Sequence, residues 1–155
     1  MPPIVLDERD VQILNALQSD GRLSNAELAE KVNLSPSACL RRVHLLLANG
    51  LVAGTHLVLD QKAAGYHGTA YVFITLDGQE REKLDAFEAR VKLVPQIQEC
   101  YLLAGQADYL LRIIFHDMED LERLHSEVLT RVPGVLRVQS TLTLRTVKRT
   151  TSLPL

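Results

Sequence analysis

Residues 24–50 read Ser-Asn-Ala-Glu-Leu-Ala-Glu-Lys-Val-Asn-Leu-Ser-Pro-Ser-Ala-Cys-Leu-Arg-Arg-Val-His-Leu-Leu-Leu-Ala-Asn-Gly, and the starts and stops in this stretch leave the backbone little choice. Ser24 can accept from the backbone at Glu27 while Glu27 reaches back, a reciprocal pair that opens a helix. Ser35 followed by Pro36 caps and starts a second one, and Gly50 suits a left-handed stop. Two short helices joined by a three-residue turn form a helix-turn-helix, an arrangement that places its second helix in the major groove of DNA.

With Leu40 at the centre of the inward face of that second helix, the 3.6-residue period predicts Val43, His44 and Leu47 beside it. Ala38, Arg41, Arg42, Leu45 and Asn49 are then expected to point away. Two outward arginines just past a helix N-terminus suit groove docking, because the helix end favours phosphate and guanidinium forks onto guanine. The expected DNA contacts are Ser24, Asn25, Ser35, Ser37, Ala38, Arg41 and Arg42, although an arginine pair equally describes a solvated face. Residues 1–56 carry five basic groups (Arg9, Arg22, Lys31, Arg41, Arg42) against six acidic ones (Asp7, Glu8, Asp10, Asp20, Glu27, Glu30). Counterion release from one copy is therefore modest, and several copies on one DNA are expected.

Upstream, Asp7 is a plausible N-cap with Asp10 in the first turn, and Val11, Ile13, Leu14 and Leu17 supply a third helix ending near Asp20-Gly21. Downstream, residues 51–59 are rich in strand formers broken by Gly54, which predicts a short wing hairpin followed by a connecting strand. The expected organisation is a winged helix-turn-helix at 1–56, a linker strand at 57–67 and a second domain at 68–155. In that second domain Val72, Ile74 and Leu76 alternate with Tyr71, Phe73 and Thr75, and a helix carrying Leu84, Phe87 and Val91 follows. Residues 97–103 and 109–115 read as central strands flanking a turn at 104–108. Asp117 caps a helix bearing Leu121, Leu124, Val128 and Leu129, stopped by Pro133-Gly134, and residues 138–147 alternate as a final strand. The order βαββαβ predicts a ferredoxin-like sandwich, so the fold class is α+β. Two helices cover only one sheet face. The other, with Tyr71 and Phe73, is too apolar to leave in water, so a second subunit is expected to bury it.

At 46% hydrophobic and 23% charged residues the composition is that of an ordinary globular chain. No apolar run approaches membrane-spanning length, and the N-terminus shows no signal-peptide pattern. Cys39 and Cys100 match no metal spacing and are expected as thiols in a reducing cytoplasm. The histidines at 44, 56, 67, 116 and 125 are scattered, without the paired spacing of a metal or nucleophile site, so no catalytic residues, metal or cofactor are expected.

The chain resembles the Lrp/AsnC, or feast/famine, transcriptional regulators over nearly its whole length. The resemblance is carried by Leu6-Asp7 with Asp10 and Ile13-Leu14, Gly21-Arg22 with Ser24-Asn25, Leu34-Ser35-Pro36-Ser37, Cys39-Leu40-Arg41-Arg42-Val43 and Gly50-Leu51-Val52. In the second half it is carried by Ile97-Gln98-Glu99-Cys100, Gly105 with Asp108-Tyr109-Leu110-Leu111, and Val132-Pro133-Gly134-Val135. It implies a cytoplasmic, non-enzymatic, sequence-specific regulator that binds double-stranded DNA, with a RAM/ACT-like second domain that dimerises and assembles further to an octamer. It also implies a small amino-acid effector, leucine, methionine or similar, held at an interface between second domains. The effector-binding residues would be Leu103, Ala104, Gly105, Gln106, Ala107, Asp108 and Tyr109. A zwitterion needs a carboxylate for its ammonium and N–H groups for its own carboxylate; Asp108 and the Gly105 turn offer both, though Asp108 equally suits bonding its own turn. Gln106 and Ala107 stand where relatives often carry an acidic and an aromatic residue, which changes the charge and size of such a site. The resemblance also extends to sirohaem decarboxylases, whose anionic tetrapyrrole would require a concentration of histidine and arginine.

Overall fold

A computed structural model describes residues 5–155; the first residues of the N-terminus, on which the absence of a signal peptide was partly read, lie outside the described residues. The chain divides into two compact units, residues 59–147 and a unit that joins the segment before residue 59 to the tail 148–155.

In the first unit three helices, α1 (Glu8–Ser19), α2 (Asn25–Lys31) and α3 (Pro36–Ala48), enclose a small core. Each start follows from its cap. Asp7 accepts from the Asp10 backbone at 2.9 Å while Asp10 receives the Asp7 N–H. Ser24 and Glu27 exchange the same pair, and Ser35 accepts from the Ala38 N–H ahead of Pro36. The turn between α2 and α3 is made by Asn33 in the left-handed region, and Gly50 ends α3 with φ of +77°. Ile13, Leu14, Leu28, Ala29, Val32, Cys39 and Leu46 form the core.

The face of α3 is rotated by one residue from the sequence expectation. Its inward stripe is Cys39, Arg42, Val43 and Leu46, while Leu40 is 44% and Leu47 50% exposed and His44 is exposed as well. The expectation anchored on the bulkiest apolar residue, whereas the packed position is taken by the smaller Cys39 at 0% exposure. The wing hairpin and the linker strand are also absent: residues 51–60 carry no strand pairing, and Asp60 opens a turn that closes at Gly65. A strand needs a ladder partner for its backbone, and nothing in the described chain supplies one there.

The second unit is the four-stranded antiparallel sheet expected for βαββαβ. Strands β1 (Gly68–Leu76), β2 (Ile97–Leu102), β3 (Tyr109–Phe115) and β4 (Val135–Leu142) lie in the order β2-β3-β1-β4. Helix α4 (Arg81–Val91) and helix α5 (Met118–Arg123), which widens into a π-helical stretch through Leu129, complete it. The core lies on the face lined by Ala70, Val72, Ile74 and Leu76, with Leu111 and Ile113 beside them and the Phe87 ring tilted against Tyr109, centroids 4.5 Å apart. A Cβ at Gly68 would collide with the Phe115 ring opposite it, and that buried ring would have to move to admit one. The final strand ends earlier than expected, at Leu142, just before the Thr143 N–H donates a last bond to the Thr69 carbonyl. Its partner β1 starts at Gly68, so residues beyond 143 have no ladder to join. On the opposite face Tyr71 and Phe73 remain 39% and 36% exposed, as the alternation required.

Candidate functional site

Two constellations emerge, one in each unit. In the first, the cap of α3 presents Ser35 and Ser37 with their hydroxyls 3.3 Å apart, and the outward stripe of the helix carries Ser37, Arg41 and His44. Ala38 is half-buried beside them. Arg41 makes no ion pair among the described residues. His44 is a position the sequence reading placed inward; with the helix phase corrected it belongs to the same surface.

Arg42 does something else. Its guanidinium lies 2.7 Å from both Asp7 and Asp10, tying α3 to the capped start of α1. Hydrogen bonds to the Asp10 backbone and then to Arg42 hold the Asp7 carboxyl below its ordinary value of 3.8, and the two aspartates push the Arg42 guanidinium up. A guanidinium so engaged clamps α3 to α1, and is not the unpaired outward group that the helical period predicts. Asn25 is engaged likewise: its side-chain amide donates to the Pro36 carbonyl at 2.8 Å and bridges α2 to α3. Ser24 is spent on Glu27, to whose carboxylate its hydroxyl donates at 2.7 Å. The groups left available on this surface are those of Ser35, Ser37, Arg41 and His44.

In the second unit the β2–β3 connection at 103–108 sits over the end of the uncovered sheet face. A depression of about 320 Å³ opens there, lined by Phe73, Thr75, Leu103, Gln106, Ala107, Arg137 and Gln139. Register explains the juxtaposition: across the β1/β4 ladder Phe73 faces Gln139 and Thr75 faces Arg137. The loop was legible in the sequence; the β1 and β4 residues were signalled only by the alternation of β1 and by the place of β4 beside it in a ferredoxin-like order.

Asp108 and Tyr109 do not line this depression. Asp108 is only 6% exposed; its carboxylate accepts from the Leu76 N–H at 2.7 Å and from the Gln79 amide at 2.6 Å. Tyr109 is buried in the core and donates to Glu88 at 2.9 Å, and burial, reinforced by Glu88, raises its pKa strongly. Asp108 is therefore the acceptor that pins the loop to the end of β1, with both carboxylate oxygens engaged in this structure. Leu103 to Ala107 remain at the surface, with Ala104, Gly105 and Gln106 exposed. No group of metal-binding side chains occurs among the described residues. Nor do Cys39 and Cys100 form a disulfide.

Residues 6–53 match the model of a winged helix-turn-helix DNA-binding domain, and residues 69–153 match the Lrp/AsnC ligand binding domain. The chain belongs to the Lrp/AsnC family. It is 38% identical to the transcriptional regulator AzlB of Bacillus subtilis, over 98% of this chain and 97% of that one. It is 37% identical to the leucine-responsive regulatory protein of Escherichia coli K12, over 96% and 90% respectively. Among solved structures, a transcriptional regulator of Neisseria meningitidis in complex with L-Met superimposes with a TM-score of 0.93 at 36% identity, covering 97% of each chain. The protein is accordingly a DNA-binding transcriptional regulator with a ligand-binding domain, and not an enzyme. No helix among the described residues is long and apolar enough to cross a membrane.

Proposed function

We propose that this regulator senses a small, uncharged amino acid such as leucine or methionine in the depression under the 103–107 loop, and that occupancy changes how its assembly engages DNA. Residues 1–56 serve as the DNA-binding domain, 57–67 as the linker and 68–155 as the effector and oligomerisation domain. The observation that carries the proposal is the depression itself: a loop tied to β1 by Asp108 walls a cavity whose polar side chains come from two adjacent strands and from Gln106 of the loop. The L-Met complex of the Neisseria relative supports the amino-acid class. The uncovered sheet face with Tyr71 and Phe73 is the surface on which a second copy packs, placing the depression at the interface between copies. Dimers assemble further, to an octamer, in the cytoplasm where the DNA is.

On DNA, paired α3 helices occupy successive major grooves about one turn apart, with Arg41 reading a base and Ser35 and Ser37 donating to phosphate. Effector binding acts through differential contacts in two assembly states. The test is a thermal-shift screen of the twenty amino acids on the purified chain, followed by sedimentation with each hit. A rise in melting temperature accompanied by a change in oligomer size supports the proposal; no shift with any amino acid at millimolar concentration refutes it.

A further inference from the structure

The depression holds a single charge, and it is positive. Arg137 makes no ion pair among the described residues, and no carboxylate lines the cavity. The nearby charges are already engaged: Arg112 on the same sheet face is held by Glu99 at 2.6 Å, and both Asp108 oxygens accept from Leu76 and Gln79. Beside Arg137 stand the neutral donors and acceptors Thr75, Gln106 and Gln139, and the apolar wall is Phe73 with Leu103. A volume of about 320 Å³ lies at the small end of ligand cavities, suited to a small metabolite.

We infer that Arg137 is the specificity-determining residue of this site: its guanidinium pairs with the effector's carboxylate while the side chain lies against Phe73 and Leu103. The inference rests on the amino-acid reading above and sharpens it. A guanidinium and a carboxylate make a two-pronged, charge-assisted contact, whereas the α-ammonium meets only neutral acceptors. The recognised class is therefore a carboxylate with an uncharged, apolar side chain, and the amino group is dispensable. The 2-oxo acid of an effector amino acid binds as well, and the corresponding amino alcohol does not.

The test is isothermal titration calorimetry of the full chain with L-leucine, L-methionine, their 2-oxo acids and their amino alcohols, on the wild type, Arg137→Gln and Arg137→Lys. Wild type is expected to bind an amino acid and its 2-oxo acid within about tenfold of each other, and the amino alcohol at least tenfold more weakly. Arg137→Gln weakens carboxylate binding tenfold or more and Arg137→Lys by less. Within one chain Arg137 has no ion-pair partner to lose, and the ligand-free melting temperature and oligomer size of each variant, recorded beside its affinity, separate weakened carboxylate binding from altered packing of a second copy. Unchanged binding by Arg137→Gln, or an amino alcohol bound as tightly as its amino acid, overturns the inference and leaves the amino-acid reading standing. Binding of 2-oxo acids without amino acids overturns that reading and sustains the role of Arg137; binding of no carboxylate overturns both.

Discussion

Replacing Asp108 by alanine separates a loop that is built by a buried acceptor from one that contacts ligand directly. The substitution removes the partner of the buried Leu76 N–H and of the exposed Gln79 amide. Leaving a buried donor unsatisfied costs about 1–3 kcal/mol, and the lost charge-assisted bond to Gln79, whose amide can turn to water, adds about 1 kcal/mol. The backbone bond from the Asp108 N–H to Ile74 survives, so the loop is weakened rather than unmade. A total of about 2–4 kcal/mol in a unit of roughly 90 residues corresponds to a melting temperature lowered by about 10–25 °C. Differential scanning calorimetry of the ligand-free protein measures this, with hydrogen exchange at Leu76 as the local readout. Any loss of effector binding should then track the loss of order in the loop and be partly restored at low temperature. A variant with wild-type stability and no effector binding would refute the assignment of Asp108 to structure and return it to the ligand.

Three further outcomes follow from the first unit and the thiols. Arg41→Ala is expected to weaken binding to the preferred DNA by roughly 5- to 150-fold and to relax specificity at one base pair, whereas Arg42→Ala lowers the stability of the helical unit; competition binding on sequence variants together with thermal melts distinguishes the two. Asp7→Asn keeps an N-cap of equal quality but loses the charge facing Arg42. Because the folded Asp7 pKa is lowered, its contribution to stability is present above about 3.8 and is lost as pH falls through the depressed value, so the variant should be less stable at pH 7 and show a shallower loss below pH 4 in circular dichroism. Burial pushes the Cys100 thiol up to about 11 and the Cys39 thiol up as well, so at pH 8 roughly a thousandth of Cys100 is thiolate; a disulfide reagent should modify both at least tenfold more slowly in native protein than in urea.

What the sequence made legible was what neighbours along the chain decide. The caps at Asp7, Ser24 and Ser35 depend on residues three apart, and the two faces of β1 follow from strict alternation, so all were readable. The phase of α3 was not, because choosing the inward residue by size favours Leu40 over Cys39, and only the close packing of three helices makes the smaller side chain the better anchor. The engagement of Arg42 and Asp108 was not legible for one physical reason: their partners lie about thirty residues away, and a charged residue looks available until its partner is in place. The wing and linker strands failed because a β-former without a ladder is only a propensity. Arg137 and Thr75 come together through β1/β4 register, which a βαββαβ order suggests only as far as which strands are neighbours.

The central claim is that one chain reads DNA through α3 and adjusts that reading to a small carboxylate. Selection of binding sequences from a random duplex pool by the full-length protein, performed with and without each amino acid that raises its melting temperature, tests it most directly. The expected result is a recovered sequence with two half-sites about one helical turn apart and an affinity or site-spacing preference that changes with at least one such amino acid and no longer changes in Arg137→Gln. Recovery of no preferred sequence, or of one bound identically with and without every effector, would contradict it.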